Sequence, residues 1–308
     1  MIETKKLTKN FGNLVAVSDL DLYVGAGDIF GFIGPNGAGK TTTMRILVTL
    51  LEPTSGAAFI DGLDVSKKGK DVRRRVGYMP DFMGVYDDLK VFEYLEFFAA
   101  AFGIEYKKRK AIVDGVLELT DLVSKRAAPV DSLSRGMQQR LGLARVLIHD
   151  PKVLVLDEPA SGLDPRARIE MRELLRELKR MGKTIMISSH ILSELEEICD
   201  RIGIIEHGQF VFSGTIEEIR PRLGIQSKVR VKVVGDPGRA MELLSALPQV
   251  QKVELVNDHL SVTFCEGQNA DGIIARTLVN AGVDLIYLHP EQLKLDDAFL
   301  QLTKGIVH

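Results

Sequence analysis

Hydrophobic and polar positions change period several times along the chain. Val15-Ala-Val-Ser-Asp-Leu-Asp-Leu22 alternates, as a half-buried strand does. Ile29 to Ile33 is a short apolar run that leads into a glycine-rich loop, and Thr42 to Leu51 then has helical character before Pro53. Val91, Tyr94, Leu95, Phe98 and Phe102 recur at helical spacing, as do Ile112, Val116, Leu119 and Leu122. Ser134 is placed to cap a third helix, which carries Leu141, Ala144 and Leu147 on one face. Two continuous apolar runs, Val153 to Leu156 and Thr184 to Ser189, read as strands buried on both faces of a parallel sheet. Between them Arg166 to Met181 reads as a long polar helix. A further helix is expected over Leu192 to Cys199, then strands at Ile202–Ile205 and Phe210–Phe212 turning at His207-Gly208.

After about residue 220 the pattern restarts. Strand 228–234, helix 238–246, strands 250–256 and 259–264, helix 270–281 and strand 284–288 form a βαββαβ series, the ferredoxin-like arrangement. A last helix is expected from about Leu295. Asn257-Asp258 suits the hairpin turn. The expected division is 1–222 and 223–308, with a helical subdomain at about 84–150 in the first.

The loop Gly34-Pro35-Asn36-Gly37-Ala38-Gly39-Lys40-Thr41 sits between strand and helix, the context that makes G-x-x-x-x-G-K-[ST] a phosphate site. Glycines 34, 37 and 39 allow backbone angles that gather N–H groups around an anion, and the helix N-terminus adds its positive end. Lys40 supplies charge for the β- and γ-phosphates, and Thr41 a hydroxyl for Mg²⁺. Asp157, ending a buried strand, fits the second Mg²⁺-site acid. Glu158 fits a general base for water. His190 ends the other buried strand, where open α/β sheets gather ligand groups, and is positioned for a γ-phosphate. Phe11 stands alone among polar neighbours and by itself reads as a stray core aromatic.

Composition narrows the partners. The 308 residues carry 40 Lys+Arg against 42 Asp+Glu, with no basic tail or stripe for nucleic acid. Two cysteines, Cys199 and Cys265, form no metal or redox motif, so a reducing cytosol is expected. No run approaches about 18 consecutive apolar residues, and the N-terminus lacks a signal-peptide pattern. Service to a membrane would come from its cytoplasmic side, through a partner.

The set resembles the ATP-binding cassette (ABC) family, the motor subunits of ABC transporters. Gly34 to Thr42 resembles its Walker A, Leu133-Ser134-Arg-Gly136-Met its signature, and Val153 to Glu158 its Walker B with catalytic glutamate. Ser161-Gly-Leu-Asp164 resembles its D-loop, and His190 its switch histidine. The match covers about residues 1–220, and generic P-loop kinases and GTPases lack the signature. The resemblance implies an α/β P-loop ATPase core with an antiparallel β subdomain and an α-helical subdomain. It also implies Phe11 stacking on adenine, and ATP and Mg²⁺ as cofactors. Two cassettes would meet head to tail, each ATP lying between Walker A of one and Ser134 and Gly136 of the other. This chain has one cassette, so the partner is most simply a second copy. A separate membrane permease is the other implied partner, with the cassette peripheral on the inner membrane face.

Two departures stand out. Asp81 falls where the family usually has the Q-loop glutamine; it either serves the metal or is a surface acid without a role. Arg135 and Met137 replace the usual Gly and Gln of the signature; Arg135 either adds charge near the nucleotide or faces solvent. These variants and the C-terminal unit resemble the branch paired with ABC-2 type permeases, mostly exporters. The alternative is a soluble cassette ATPase acting on ribosomes or DNA. The C-terminal unit would stabilise or regulate the dimer, or be a packing appendage.

Overall fold

A computed structural model of the 308-residue chain describes residues 1–82, 84, 88–190, 195–215, 217–219, 228–265 and 272–291. By its contacts the chain divides into two compact units, Met1–Thr215 and Ile216–His308.

The first unit is built around a six-stranded sheet. Its order is β10-β9-β3-β8-β7-β6. β3 (Ile29–Ile33) is buried along its whole length, and pairs in parallel with β8 (Thr184–Ser189) and β9 (Arg201–Glu206). β7 (Val153–Leu156) lies parallel between β8 and β6 (Val76–Met79). The apolar runs are continuous because both faces of these strands are covered. β10 (Gln209–Gly214) returns antiparallel to β9, through His207 and Gly208 at φ 48° and 79°, the left-handed pair of a tight hairpin turn.

A second, antiparallel sheet contains β2 (Leu14–Val24), β1 (Ile2–Phe11), β4 (Ser55–Ile60) and β5 (Leu63–Asp64), in that order. Helix α1 (Lys40–Leu47) sends Met44, Ile46 and Leu47 into one core with Leu7 and Ile60 of this sheet and Phe30 and Val155 of the parallel one. α1 starts two residues before the expected Thr42 and stops short of Leu51. Gly39 takes the left-handed conformation that ends the loop. Thr49 does the same at φ 66°, and the Leu50 and Leu51 amides turn back to the Arg45 carbonyl. The short α2 (Gly69–Arg73) precedes β6.

The helical layer is α3 (Val91–Ala101), α4 (Tyr106–Leu119) and α5 (Arg135–Leu147). α3 buries Val91, Tyr94, Leu95 and Ala99, while Phe102 lies just past its end, 44% exposed and stacked on His149 at 3.9 Å. α4 buries Val113, Val116 and Leu117; Ile112 and Leu119 flank that stripe, so its centre is displaced from the expected face. α5 buries Leu141, Ala144 and Leu147, as the periodicity requires. α6 (Pro165–Arg180) opens with proline at its first turn, where no N–H is needed. Of the helix expected over Leu192 to Cys199, residues 192–194 lie outside the described residues; the Ile198 and Cys199 amides both turn back to the Leu195 carbonyl.

The second unit contains β11 (Lys228–Val233), α7 (Pro237–Ser245), β12 (Val250–Val256), β13 (His259–Phe264), α8 (Ile273–Asn280) and β14 (Leu285–Glu291). The sheet order is β12-β13-β11-β14, all antiparallel. This is the ferredoxin-like arrangement read from the pattern. Ala240, Leu244, Ile274 and Leu278 of the helices close a core over Val231, Leu260, Val262 and Phe264. Asn257 holds φ 55° in the hairpin turn. The helix expected from Leu295 lies outside the described residues.

Candidate functional site

Parallel pairing places the ends of three strands side by side, with Ile33 opposite Ser189 and Leu156 opposite Ile187. Gly34, Asp157 and His190 therefore emerge together at the carboxyl ends of these strands, where open α/β folds bind ligands.

The loop after β3 closes tightly. Gly37 and Gly39 take φ 83° and 105°, conformations that side chains resist. Gly34 is needed for a different reason than expected. It is not left-handed; a Cβ there would meet the Ile205 carbonyl oxygen at 2.4 Å. A Cβ on Gly39 would likewise lie 2.4 Å from the Ala16 carbonyl oxygen. Lys40 is 6% exposed and folds back on its own loop, donating to the carbonyls of Gly34 at 2.5 Å and Pro35 at 3.1 Å. Burial lowers its pKa from the usual lysine value, with the Glu158 and then the Asp157 carboxylates opposing the shift.

Asp157 is 2% exposed and held on both oxygens. Thr41 Oγ1 donates to Oδ2 at 2.8 Å and Ser188 Oγ donates to Oδ1 at 2.6 Å. The same Ser188 oxygen accepts the Glu158 amide at 2.9 Å. Glu158 takes φ 50°, a cost for a residue with a side chain that the site tolerates by over-determining it. That turn sets Oε1 at 4.0 Å from Lys40 Nζ and Oε2 at 2.9 Å from His190 Nδ1.

Lys40, Thr41, Asp157 and Glu158 border a cavity of about 310 Å³. Its lining comprises Phe11, Leu14, Ala16, the residues Pro35 through Thr42, Asp81, Asp157 and Glu158. Phe11 is 48% exposed at its mouth, with Lys9 Nζ 5.2 Å from the ring centroid. The chain thus brings Phe11, Pro35, Asn36, Gly37, Ala38, Gly39, Lys40, Thr41, Thr42, Asp81, Asp157 and Glu158 to one cavity. Gly34 and His190 attach to it through Lys40 and Glu158.

Ser134, Gly136 and Asp164 are not among the residues lining it. Ser134 Oγ caps α5 by accepting the Met137 amide at 3.4 Å. Asp164 Oδ1 caps α6 by accepting the Ala167 amide at 2.9 Å. A Cβ on Gly136 would stand 3.1 Å from that of Ala167. The three residues belong to a separate surface where two helix N-termini meet.

Sequence reasoning missed Ser188. Its signal was a pair of hydroxyl residues, Ser188-Ser189, closing an otherwise apolar buried strand, where a polar side chain must find a partner.

The oxygen donors suit a hard cation. Thr41 Oγ1 and Asp157 Oδ2 are 2.8 Å apart, close to the ~2.9 Å between neighbouring ligands of an octahedral Mg²⁺. No group of three or more His, Cys, Asp or Glu among the described residues could hold a metal. Mg²⁺ at a phosphate site needs no such cage, since water and phosphate fill most positions. Among the described residues no helix is long and apolar enough to cross a membrane.

A family model for ABC transporters matches residues 17–161. Over 306 residues the chain is 38% identical to Nod factor export ATP-binding protein I of Burkholderia pseudomallei, covering 98% of this chain and 96% of that one. The protein of the same name from a Rhizobium species is 36% identical over 304 residues, with the same coverage. A solved ATP-binding subunit of an ABC transporter superposes with a TM-score of 0.66 at 30% identity, over 73% of this chain and 94% of that one. cbiO1 from Clostridium perfringens, part of the ABC transporter complex cbiONQ, superposes with a TM-score of 0.64 at 27% identity, over 71% and 89%. Full-length similarity and a shared fold converge on one conclusion: the chain belongs to the ABC transporter family, as an ATP-binding subunit whose ATPase activity is coupled to transport.

Proposed function

We propose that this subunit drives an exporter through a separate ABC-2 type membrane permease, by ATP-dependent head-to-tail pairing of two copies. One observation carries the reading. The cavity holding Lys40, Thr41, Asp157 and Glu158 is separate from Ser134, Gly136 and Asp164 of the same chain. One chain therefore offers half of a nucleotide site, and a second copy supplies the facing half.

In this reading Phe11 stacks on adenine, and Pro35 to Thr42 wrap the phosphates with backbone N–H groups. Phosphate oxygens replace the Gly34 and Pro35 carbonyls as acceptors for Lys40. Thr41 and Asp157 would hold Mg²⁺, with Asp81, on the same cavity, acting through water; the bound ion would neutralise charge on the β- and γ-phosphates. Glu158 takes the proton of the attacking water. His190, engaged by Nδ1 with Glu158 Oε2, orients that base and keeps Nε2 for the γ-phosphate. Ser134 Oγ and the Gly136 N–H of the partner copy meet the γ-phosphate from the opposite side, with Asp164 in the contact. Hydrolysis removes the group that joins the copies.

Export is supported by the Nod factor export relatives. Cargo is selected by the membrane subunit. The subunit works at the cytoplasmic face of the membrane, held there by its permease, with no nucleic-acid partner. The division near 1–222 and 223–308 assigns ATPase work to the first part and stabilisation of the pair to the second; a chain ending near residue 224 that dimerised and hydrolysed normally would remove that role.

Light scattering of Glu158→Gln with Mg²⁺ and ATP tests the central claim. The variant should be dimeric with ATP and monomeric without nucleotide. A monomer under both conditions overturns the proposal.

A further inference from the structure

The first turn of α5 is seated on the loop between Glu158 and α6. A Cβ built on Gly162 would lie 2.3 Å from Arg135 Cζ, 2.4 Å from Nη1 and 2.6 Å from Nη2. Distances so nearly equal place that point above the guanidinium plane, because in the plane the nitrogens would be the nearer atoms. The flat face of Arg135 therefore covers the Gly162 Cα, a contact that Gly162, at φ 66°, permits by having no side chain.

The contact is one of several along the same seam. Gly136 abuts Ala167, and Arg140 of α5 reaches Glu170 of α6 at 3.7 Å. The loop beneath is short and internally bonded. The Ser161 amide donates to the Glu158 carbonyl at 3.0 Å, and the Leu163 amide to the Ala160 carbonyl at 3.3 Å. Arg135 is thus one hydrogen-bonded turn from the backbone of Glu158.

We propose that Arg135 is a positioning residue. Its guanidinium face on Gly162 fixes the Ser134–Gly136 turn relative to the Glu158 loop, and so couples the two nucleotide sites of the assembled pair. The proposal rests on the two-copy reading above. In that pair, Glu158 serves a chain's own ATP and Ser134 serves its partner's. A rigid link between them makes the state of one site felt at the other. The link depends on a planar group lying flat, not on its charge.

The full chain with Mg²⁺ and ATP provides the test. Arg135→Ala, Arg135→Lys, Arg135→Gln and Gly162→Ala are compared with wild type for Kd of a fluorescent ATP analogue, kcat, KM and Hill coefficient. In Arg135→Ala, Arg135→Lys and Gly162→Ala, Kd should stay within about twofold while kcat falls about ten-fold, the cost of a misplaced group. The Hill coefficient should fall from about 2 toward 1. Arg135→Gln, whose amide stops two bonds short of the guanidinium that covers Gly162, should fall with them. Rescue by Lys, which reaches as far with a charge but no planar group, would show that charge matters and would overturn the proposal. Unchanged kcat and Hill coefficient in Arg135→Ala would do the same. Should Arg135→Ala not fold, Arg135→Gln and Gly162→Ala decide the question by the same readouts. Glu158→Gln is run alongside. If it stays monomeric with ATP, the two-copy reading itself has failed; if it dimerises while Arg135→Ala behaves as wild type, only the coupling has failed.

Discussion

Ser188 Oγ donates to Asp157 Oδ1 at 2.6 Å, and the same oxygen accepts the Glu158 amide at 2.9 Å. One buried hydroxyl therefore holds both the Asp157 carboxylate and the backbone of Glu158. Ser188→Ala leaves the Glu158 N–H without its acceptor and removes a donor from a buried carboxylate. The expected loss of unfolding stability is about 1–3 kcal/mol, read by urea denaturation, together with reduced kcat. A denaturation midpoint equal to wild type would mean that water replaces the hydroxyl without cost.

Glu158 and His190 should separate in their kinetics. Glu158→Gln keeps the shape of the side chain but cannot take a proton, so hydrolysis should fall by roughly 10²-fold or more while ATP binding persists. His190→Ala leaves the base present but no longer held at Oε2, so its loss should be smaller, on the order of ten-fold. Near-normal turnover in Glu158→Gln would assign the base to another residue.

Lys40 makes ATP affinity fall as pH rises through the titration of its ammonium group. Burial sets its free-state pKa below 10.5, with Glu158 and then Asp157 pulling the other way. A bound triphosphate adds negative charge and raises that pKa. Below both values the lysine is charged in both states, and affinity is independent of this group. Between them binding takes up a proton, so affinity falls as pH rises through the window. Titration calorimetry in two buffers of different ionisation enthalpy should detect proton uptake there, and Lys40→Ala should abolish it along with most of the affinity.

Phe11 is exposed at the cavity mouth with Lys9 over its ring. Phe11→Ala should weaken ATP by about 1–3 kcal/mol, the value of one base stacked on an aromatic ring. Inorganic tripolyphosphate should bind equally to both proteins. Equal losses for the two ligands would place the effect in the phosphate loop instead.

Asp81 borders the same cavity as Asp157. Asp81→Ala should raise the Mg²⁺ concentration for half-maximal ATPase activity severalfold, consistent with an acid acting on the metal through water. Superimposable Mg²⁺ curves would dismiss that role.

The local parts of the site were legible because each is encoded in a few adjacent residues. Gly37 and Gly39 announce left-handed turns, Ile29 to Ile33 a covered strand, and Ser134 a helix cap. The C-terminal topology was legible for a similar reason, since alternation over 228–264 marks each strand and its turn. Other features were not. The stripe of α4 centres on Val113 and Leu117 because the neighbouring helices, not its own period, choose which residues are covered.

The sequence by itself determined that a phosphate loop is followed at a distance by two strand-end acids and a histidine. Hydrophobic period and glycine placement report backbone conformation directly. Tertiary structure alone decided what those residues touch. Ser188 meets Asp157 only because β7 and β8 run parallel in the register that sets Leu156 beside Ile187. Gly34 is required by the Ile205 carbonyl of a strand far along the chain. The separation of Ser134 from the Lys40 cavity likewise follows from packing, because contact between distant segments depends on strand order and helix seating, which no local pattern records.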